Sequence, residues 1–581
     1  MKAALIFDSV NNLLFYKWDE LFIQRLKSLN EQDTECLTDS HIVSQLLSPI
    51  ITSQRVMAAQ FGNTYSSMQC KDNTTIVFDE WLDHVFMIIC EDSVDEAHRE
   101  LMDCKTFLQH ICGQNINLLQ SPVYQDWLSV LLESRTKGDS IAGAIGLIGE
   151  SGASTAALNA LKATAKDIKT SPYQHYHLML IVGDKILALY SSRGSEDLTP
   201  PDLKLLSIQC IAAQEYWKDT EESNSRLPWL SCENSAVVEL LGAAGGAPCA
   251  PHSLHVAELA PRVTFAMLID MDLREIGVST YMSSQILSNL RRLLLQRNLE
   301  MLPSTLDALE ASLKKTTDAL RKNKANTALC ARVTSRMLEL RKSCTTTTPL
   351  TPETTATAMH TALEAVIEQL KPDIPSIKLT QPLKGLAAAM DPYVDFLRVK
   401  AMRYFSLGSG DTDVSSLTLH KYVEEFPGLV HFIHVDRTAG RFLAPDMADC
   451  VDMLSPQTVK QIVSRSLSVC REGYTAATWR RGALHVCCVW WWERRGAALR
   501  PACPPHPAAV RALPPPGDIR GAFYRQLTEL SFPGDTGVSL KELICVHLGL
   551  LPAATAVQQA RRLAHAVLEL AHDNPAAATL L

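Results

Sequence analysis

The sequence lacks the common signatures of nucleotide hydrolysis, structural zinc and metalloprotease chemistry. It contains no G-x-x-x-x-G-K-[ST], no G-x-G-x-x-G after a strand, no H-E-x-x-H and no C-x-x-C pair. It also lacks an excess of positive charge, because 55 Lys and Arg stand against 63 Asp and Glu. The formal net charge of -8 gives no support for nucleic-acid binding. We therefore predict no catalytic residue, no cofactor, no metal and no nucleic-acid partner.

Long hydrophobic runs are also missing. The uncharged stretches 106–125, 240–257 and 543–560 are each interrupted by Gly and Pro and contain amides or histidines, which a membrane-spanning helix rarely combines. The first residues have no basic region and no cleavage site of a signal peptide. Most of the 16 cysteines lie in apolar stretches, which is typical of free thiols. These features predict a cytoplasmic protein in a reducing compartment.

The sequence does contain a repeated order of elements. Two short apolar runs around a polar turn occur at 3–18, 178–190 and 429–444, and helical patterns follow each of them. With 581 residues, of which 46% are hydrophobic, the chain can form several cores. The pattern predicts an α+β fold of the α/β-sandwich type, in which three similar antiparallel sheets are each packed with helices.

The predicted domain boundaries follow from changes in composition and from turn signals rich in Gly and Pro. The predicted parts are a first sandwich at 1–135, a helical connector at 136–171, a second sandwich at 172–342 with a Gly, Ala and Pro-rich insertion near 241–251, a Thr-rich linker at 343–390, and a third sandwich at 391–581 with a Pro-rich loop near 500–516. Within these parts we predict one helix from Pro303 to Leu340 and another at 540–548, and Pro49 should kink a helix over 42–57 or mark its first turn.

A catalytic motif is suggested by Asp270 and Asp272, which follow an apolar run at 264–269. Haloacid dehalogenase-type phosphatases use two such aspartates, because one attacks phosphorus while the other protonates the leaving oxygen beside magnesium. At the following position of the motif those enzymes have a small residue, whereas this sequence has Arg274. We favour two charged residues at a strand end, and a phosphatase is a remote alternative.

Other candidate motifs favour structural roles. Ser151 lies in a near match to G-x-S-x-G, but the second glycine is displaced by one position, so a loop or helix boundary is favoured over a hydrolase. The tight Cys/His groupings are Cys487 and Cys488 with His485, and Cys503 with His506. Adjacent cysteines on a strand point to opposite faces, so core packing is favoured over a metal site.

Two surface features leave alternatives open. The segment 314–342 carries nine Lys and Arg against two acidic residues, which favours a solvated helical face, with anionic lipid or an acidic partner as alternatives. The three consecutive tryptophans Trp490, Trp491 and Trp492 on a predicted strand indicate either burial by the following helices or a protein interface.

The segment 422–445, YVEEFPGLVHFIHVDRTAGRFLAP, resembles the C-terminal signature of the tri-longin family of the Hermansky-Pudlak syndrome type 1 protein. Shorter stretches agree in the same order along the chain. These are LLFY at 13–16, LLSPII at 46–51, KILALYSS at 185–192, LP at 551–552 and VQQA at 557–560. The resemblance spans nearly the whole chain, and the Pro-rich loop near 500–516 departs from it.

The resemblance implies three longin-like domains and a role without covalent chemistry. It implies a heterodimer with a Hermansky-Pudlak syndrome type 4 protein homologue in the biogenesis of lysosome-related organelles complex 3. Such a heterodimer promotes guanine nucleotide exchange on Rab GTPases of the thirty-two and thirty-eight class at melanosome-like and pigment-granule membranes. We expect the first block to face the partner or the GTPase, and peripheral contact with organelle or endosomal membranes. A membrane-trafficking scaffold without exchange activity is the main alternative.

Overall fold

The structure is a computed structural model that describes residues 1–29, 39–61, 65–137, 143–147, 151–168, 174–220, 227, 235–242, 249–298, 300–323, 327–345, 351–369, 379–395, 397, 426–444, 454–535 and 537–573. These residues form two compact units. The first unit comprises Met1–Val130, Val237–Ser253 and Asp270–Ile374, and the second comprises Leu131–Ala236, Leu254–Ile269 and Pro375–Leu581. Within the described ranges, no helix combines the length and the apolarity that crossing a bilayer requires.

The described residues form 17 strands and 15 α-helices. The strands are β1 (Lys2–Phe7), β2 (Leu13–Trp18), β3 (Ser67–Gln69), β4 (Thr75–Trp81), β5 (His84–Cys90), β6 (Ile145–Leu147), β7 (Tyr176–Val182), β8 (Lys185–Ser191), β9 (Ser235–Leu240), β10 (Ala250–Ala260), β11 (Val263–Asp270), β12 (Leu429–Asp436), β13 (Arg441–Leu443), β14 (Ala476–Arg481), β15 (Leu484–Arg494), β16 (Ala497–Leu499) and β17 (Ser539–Leu548). The helices are α1 (Glu20–Leu29), α2 (Asp39–Phe61), α3 (Val94–Cys112), α4 (Pro122–Lys137), α5 (Ser151–Asp167), α6 (Pro200–Thr220), α7 (Arg274–Leu295), α8 (Leu302–Lys322), α9 (Thr327–Thr345), α10 (Pro352–Gln369), α11 (Thr380–Met390), α12 (Pro456–Arg471), α13 (Pro507–Arg511), α14 (Ala522–Ser531) and α15 (Ala553–Asp573). Single 3-10 turns lie at Ile116–Gln120 and Asp391–Tyr393.

The first unit contains a five-stranded antiparallel sheet in the order β2-β1-β5-β4-β3. Its central strands β1 and β5 are buried on both faces, which explains their nearly continuous apolar sequence. Helix α2 continues through Pro49, so Pro49 does not mark its first turn, and the predicted kink stays a prediction. Helix α3 begins where Ser93 accepts the backbone N–H of Glu96, as an N-cap serine does.

Helices α7 to α10 form a second core in the first unit. Their buried side chains include Leu287, Leu309, Val333 and Met359. The predicted single helix from Pro303 to Leu340 is wrong, because α8 ends at Lys322 and α9 begins at Thr327. In place of the predicted linker at 343–390, the structure has α10 and α11. Ala356 and Met359 of α10 and Leu386 and Met390 of α11 are buried. The domain boundaries proposed from the sequence stay predictions.

The second unit contains a large mixed sheet in which the strands of the second and third predicted sandwiches are continuous. Within this unit their order is β14-β15-β17-β12-β13-β6-β8-β7-β11-β10, where β10 belongs to the unit from Leu254 onward. Strand β6 is parallel to both β13 and β8 and joins the two groups of strands, which are antiparallel within themselves. The sequence predicted three separate sheets. The second and third are observed as one sheet, because the short β6 joins them. The predicted hairpins β7–β8 and β12–β13 are confirmed.

The turn between β12 and β13 packs closely on the start of α6. Gly440 has φ +61, and a Cβ at this position would lie 2.5 Å from the Cβ of Pro200. Only glycine combines this backbone conformation with so close an approach. The carbonyl of Gly440 also accepts the backbone N–H of Ile145, at 2.8 Å, which anchors β6 beside the turn.

Strand β17 lies at the centre of the third group of strands, between β15 and β12, where we predicted a helix at 540–548. The prediction is wrong because Lys541 and Glu542 are not the polar face of a helix. They are buried in the strand, at 8% and 0% exposure. A charged residue in such a position requires a partner of opposite charge.

Glu542 has this partner in Arg437, which follows β12. The Arg437 Nε lies 2.6 Å and its Nη2 2.5 Å from Glu542 Oε2, and Ser466 Oγ donates a hydrogen bond of 2.8 Å to Oε1. The guanidinium also lies 4.7 Å from the ring centroid of Tyr524, a cation–π distance. The carboxylate therefore has partners on both oxygens.

Lys541 makes the second buried ion pair. Its Nζ contacts Asp436 and lies 3.4 Å from Glu493 Oε1 on β15. Asp436 Oδ1 accepts the backbone N–H groups of Thr438 and Ala439, at 3.0 and 2.8 Å. The two ion pairs thus link β12, β15, β17 and the β12–β13 turn.

We predict that Glu542→Gln lowers the free energy of unfolding by about 3 to 5 kcal/mol, because it leaves the Arg437 guanidinium buried without a counter-charge. Urea denaturation followed by tryptophan fluorescence measures the change. Glu472→Gln is the control, since its ion pair with Arg511 is exposed and should contribute less than about 1 kcal/mol. Equal effects of the two variants would contradict the assigned role of the buried pair.

Candidate functional site

Asp270 and Asp272 lie together at the end of β11, as the sequence predicts. The backbone N–H of Asp272 donates a 2.9 Å hydrogen bond to Asp270 Oδ1, and Asp272 has φ +57. The Asp270 carboxylate therefore holds the turn that leads into α7 at Arg274. Across the ranges that the structure describes, no three His, Cys, Asp or Glu side chains are placed to hold a metal ion. The interpretation as a charged strand end agrees with this geometry.

The near match to a nucleophile elbow lies at the start of a helix. Ser151 is the first residue of α5, which agrees with the predicted helix boundary. Residues 148–150 and the Ser151 side chain lie outside the described residues.

The first Cys/His grouping is part of the core. Core packing is wrong for the second, because Cys503 is exposed and His506 caps a helix. Cys487 and Cys488 point to opposite faces of β15 and belong to two different buried clusters. Burial raises the pKa of the Cys487 thiol to about 11 and that of Cys488 to about 12. His485 Nδ1 lies 2.9 Å from the carbonyl of Leu551, and His506 Nδ1 accepts a backbone N–H in the first turn of α13. The prediction of core packing at Cys487 and Cys488 is confirmed.

The described cations of the basic segment 314–342 lie on the solvent-facing sides of α8 and α9, and Lys324 lies outside the described residues. Several of its cations pair with carboxylates of neighbouring turns or helices. The distances are 2.6 Å for Arg336–Glu339, 3.0 Å for Lys322–Glu275 and 3.0 Å for Arg341–Asp307. These pairs agree with the predicted solvated helical face.

The three tryptophans are mainly a core feature. Trp490 and Trp492 are buried on one face of β15, at 3% and 6% exposure. Trp491 points to the other face, where its ring centroid lies 5.9 Å from that of His434 and its Nε1 donates to Glu493 at 3.3 Å. Burial is therefore the better of the two interpretations that the sequence left open.

Strand β2 is one edge of the first sheet and pairs only with β1 in the described part of the chain. The backbone N–H of Asp19 donates to the carbonyl of Lys2, at 3.0 Å, which fixes the alternation of hydrogen bonds along the strand. It follows that Tyr16 and Trp18 turn their backbone N–H and C=O groups outward. The sequence predicted the first block as the partner-facing one, but no local pattern assigned this role to Tyr16 or Trp18.

The side chains along this edge are aromatic and partly exposed. Tyr16 is 47% exposed, and its ring stacks on Trp18 with centroids 4.0 Å apart and planes 15° apart. Val10 precedes the strand at 73% exposure and Leu21 follows it at 62%. Gln125 Nε2 donates to the carbonyl of Leu14 at 3.1 Å, so the open part of this edge lies at Tyr16 and Trp18. An open strand edge with exposed apolar side chains is suited to pairing with a strand of another protein.

The strongest pKa perturbations of the first unit lie behind the sheet, where α3 meets β9. The His110 Nδ1 lies 2.9 Å from the backbone carbonyl of Glu239. Burial lowers the pKa of His110 to about 4 and raises the pKa of the Glu239 carboxyl to about 8. His110 has no exposed surface, so a substrate cannot reach it, and the pair has a structural role.

We predict that Glu239→Gln raises the melting temperature at pH 8 more than at pH 5. The folded-state pKa of about 8 exceeds the unfolded value of 4.5, so the wild-type carboxyl costs stability progressively as the pH rises from about 4.5 to 8. At neutral pH the Glu239 carboxyl lowers the free energy of unfolding of the wild type by about 1 to 3 kcal/mol. Differential scanning fluorimetry over this range, with Glu472→Gln as the exposed control, measures it. A difference that does not grow with pH would contradict the raised pKa.

Comparison with family models agrees with this architecture at both ends of the chain. Residues 2–133 match the first longin domain of FUZ, MON1 and HPS1, and residues 428–571 match the third longin domain of the same proteins. The first match contains the five-stranded sheet with its open β2 edge, and the second contains β12 to β17 with the buried ion pairs. The chain therefore contains two longin domains, which are similar to the first and the third longin domains of FUZ, MON1 and HPS1.

Proposed function

We propose that this chain is one subunit of a heterodimeric guanine nucleotide exchange factor for Rab GTPases. On this proposal it is a homologue of the Hermansky-Pudlak syndrome type 1 protein, its partner is a homologue of the type 4 protein, and its substrates are Rab GTPases of the thirty-two and thirty-eight class. The complex acts in the cytoplasm, at the surface of lysosome-related organelles such as melanosomes and pigment granules. The family matches support membrane trafficking as the field of action.

The observation that carries the proposal is the open β2 edge of the first longin domain. A nucleotide exchange factor needs no nucleophile and no metal ligand, because it acts by binding the nucleotide-free GTPase more tightly than the loaded one. It does need a surface for its partner. Tyr16 and Trp18 offer outward backbone groups and a stacked aromatic pair at that edge.

A trafficking scaffold without exchange activity is the second candidate. It is favoured by the same open edge, since pairing with a partner is common to both functions. The two differ in nucleotide dependence, because a scaffold binds Rab GTPases irrespective of their nucleotide and an exchange factor prefers the empty form. The phosphatase alternative has lost its main support, since the Asp270 carboxylate holds a turn.

We predict that Tyr16→Arg abolishes association with the type 4 homologue. The substitution places a charge at an edge that pairing would desolvate, while leaving the β1–β2 hydrogen bonds unchanged. Co-purification from cells that express both chains measures the effect. Leu550→Arg is the matched control, because Leu550 is 95% exposed in the second unit and should tolerate the change. Retention of the partner by Tyr16→Arg would place the interface elsewhere.

We predict that nucleotide release from the Rab GTPase accelerates only when both subunits are present. The measurement follows a fluorescent guanine nucleotide bound to the GTPase, with this chain alone, the partner alone and the co-expressed pair. Fast release with this chain alone would refute the need for a partner. No acceleration with a stable heterodimer would favour the scaffold.

A further inference from the structure

Strand β14 forms an open edge of the large sheet in the third longin domain. It pairs with β15 on one side, and no strand of the described residues lies on the other. The backbone N–H of Trp490 donates to the carbonyl of Thr475 at 2.8 Å. Since hydrogen bonds alternate along an antiparallel pair, every second residue from Thr475 bonds to β15 and the others turn outward. The residues with outward backbone groups are Ala476, Thr478 and Arg480.

This edge is exposed and positively charged. The three residues with outward backbone groups are all exposed. Arg480 on the strand and Arg500 after β16 make no salt bridge to any residue that the structure describes. Two copies of this edge would bring their arginines together, which disfavours self-pairing. A segment with carboxylates would instead neutralise them.

A cavity of about 810 Å³ lies at the start of β14. Its lining includes Tyr474, Thr475, Leu499, Arg500 and Pro501. Tyr474 is 63% exposed at this position. A strand that extends past Ala476 would therefore reach an apolar cavity with a cation beside it. Strand addition uses backbone bonds for affinity and such cavities for side-chain selection.

We propose that the outer edge of β14 binds an extended acidic segment of a partner protein. The segment adds as a further strand to the sheet, its carboxylates face Arg480 and Arg500, and one apolar side chain enters the cavity. This surface lies on the third longin domain and is independent of the β2 edge and of exchange activity.

The test uses the full-length chain and fluorescence polarisation with two labelled peptides. In one peptide glutamate alternates with valine and the last residue is leucine, and in the other lysine replaces glutamate. We expect the acidic peptide to bind and the basic one not to bind. Thr478→Pro should weaken binding at least about tenfold, because it removes one outward N–H and its ring obstructs the added strand. The same N–H takes no part in the pairing with β15, so the thermal stability should be nearly unchanged.

Thr478→Val is the matched control, because it retains the N–H and should bind like the wild type. Arg480→Glu should weaken the acidic peptide and favour the basic one. Failure of the acidic peptide to bind the wild type, or equal binding by Thr478→Pro, would overturn the proposal. So would a dimer of the chain that light scattering detects and that Thr478→Pro dissociates, since the edge would then belong to a second copy.

Discussion

The third longin domain depends on two charged residues that the fold buries at the centre of its sheet. Lys541 and Glu542 lie on β17, and each has an oppositely charged partner at the end of β12 or just after it. A shift of one residue in the register of β17 would exchange the faces on which these side chains lie and separate both pairs. The ion pairs therefore specify one arrangement of β12, β15 and β17, at a desolvation cost that an apolar core would avoid.

The same residues mark where sequence reasoning fails. The hairpins β1–β2, β7–β8 and β12–β13 could be predicted, since each has two short apolar runs around a polar turn, which is a local signal. Strand β17 could not, because an apolar run with two adjacent charges also fits a helix, and only their partners distant in sequence show that both are buried. The helices of 343–390 were missed for a related reason, since threonine is a weak helix former whose place in a core depends on neighbours.

Some candidate sites could likewise be predicted from local patterns, and others depend on contacts between residues distant in sequence. Opposite orientation of Cys487 and Cys488 follows from strand geometry alone, and it was predictable. The roles of Asp270 and of the three tryptophans depend on contacts, so the sequence left them open. Whether a strand lies at an edge depends on the order of the strands in the sheet, and no local sequence pattern determines that order. For that reason Tyr16 and Thr478 could not be singled out before the strand order was known, although both lie in recognisable strands.

The short strand β6 has a consequence for the order in which the protein assembles. Gly146 of β6 pairs with Lys185 of β8, and Ile145 pairs with Arg441 of β13, so β6 joins parts of the chain that are synthesised far apart in time. Parallel pairings between such distant segments form late, because the intervening chain must first be closed into a loop. During translation the other side of β6, which pairs with β13, thus stays unpaired until β13 emerges. The nascent chain exposes a hydrophobic strand edge over that interval, and a chaperone that covers such edges would find its binding site there.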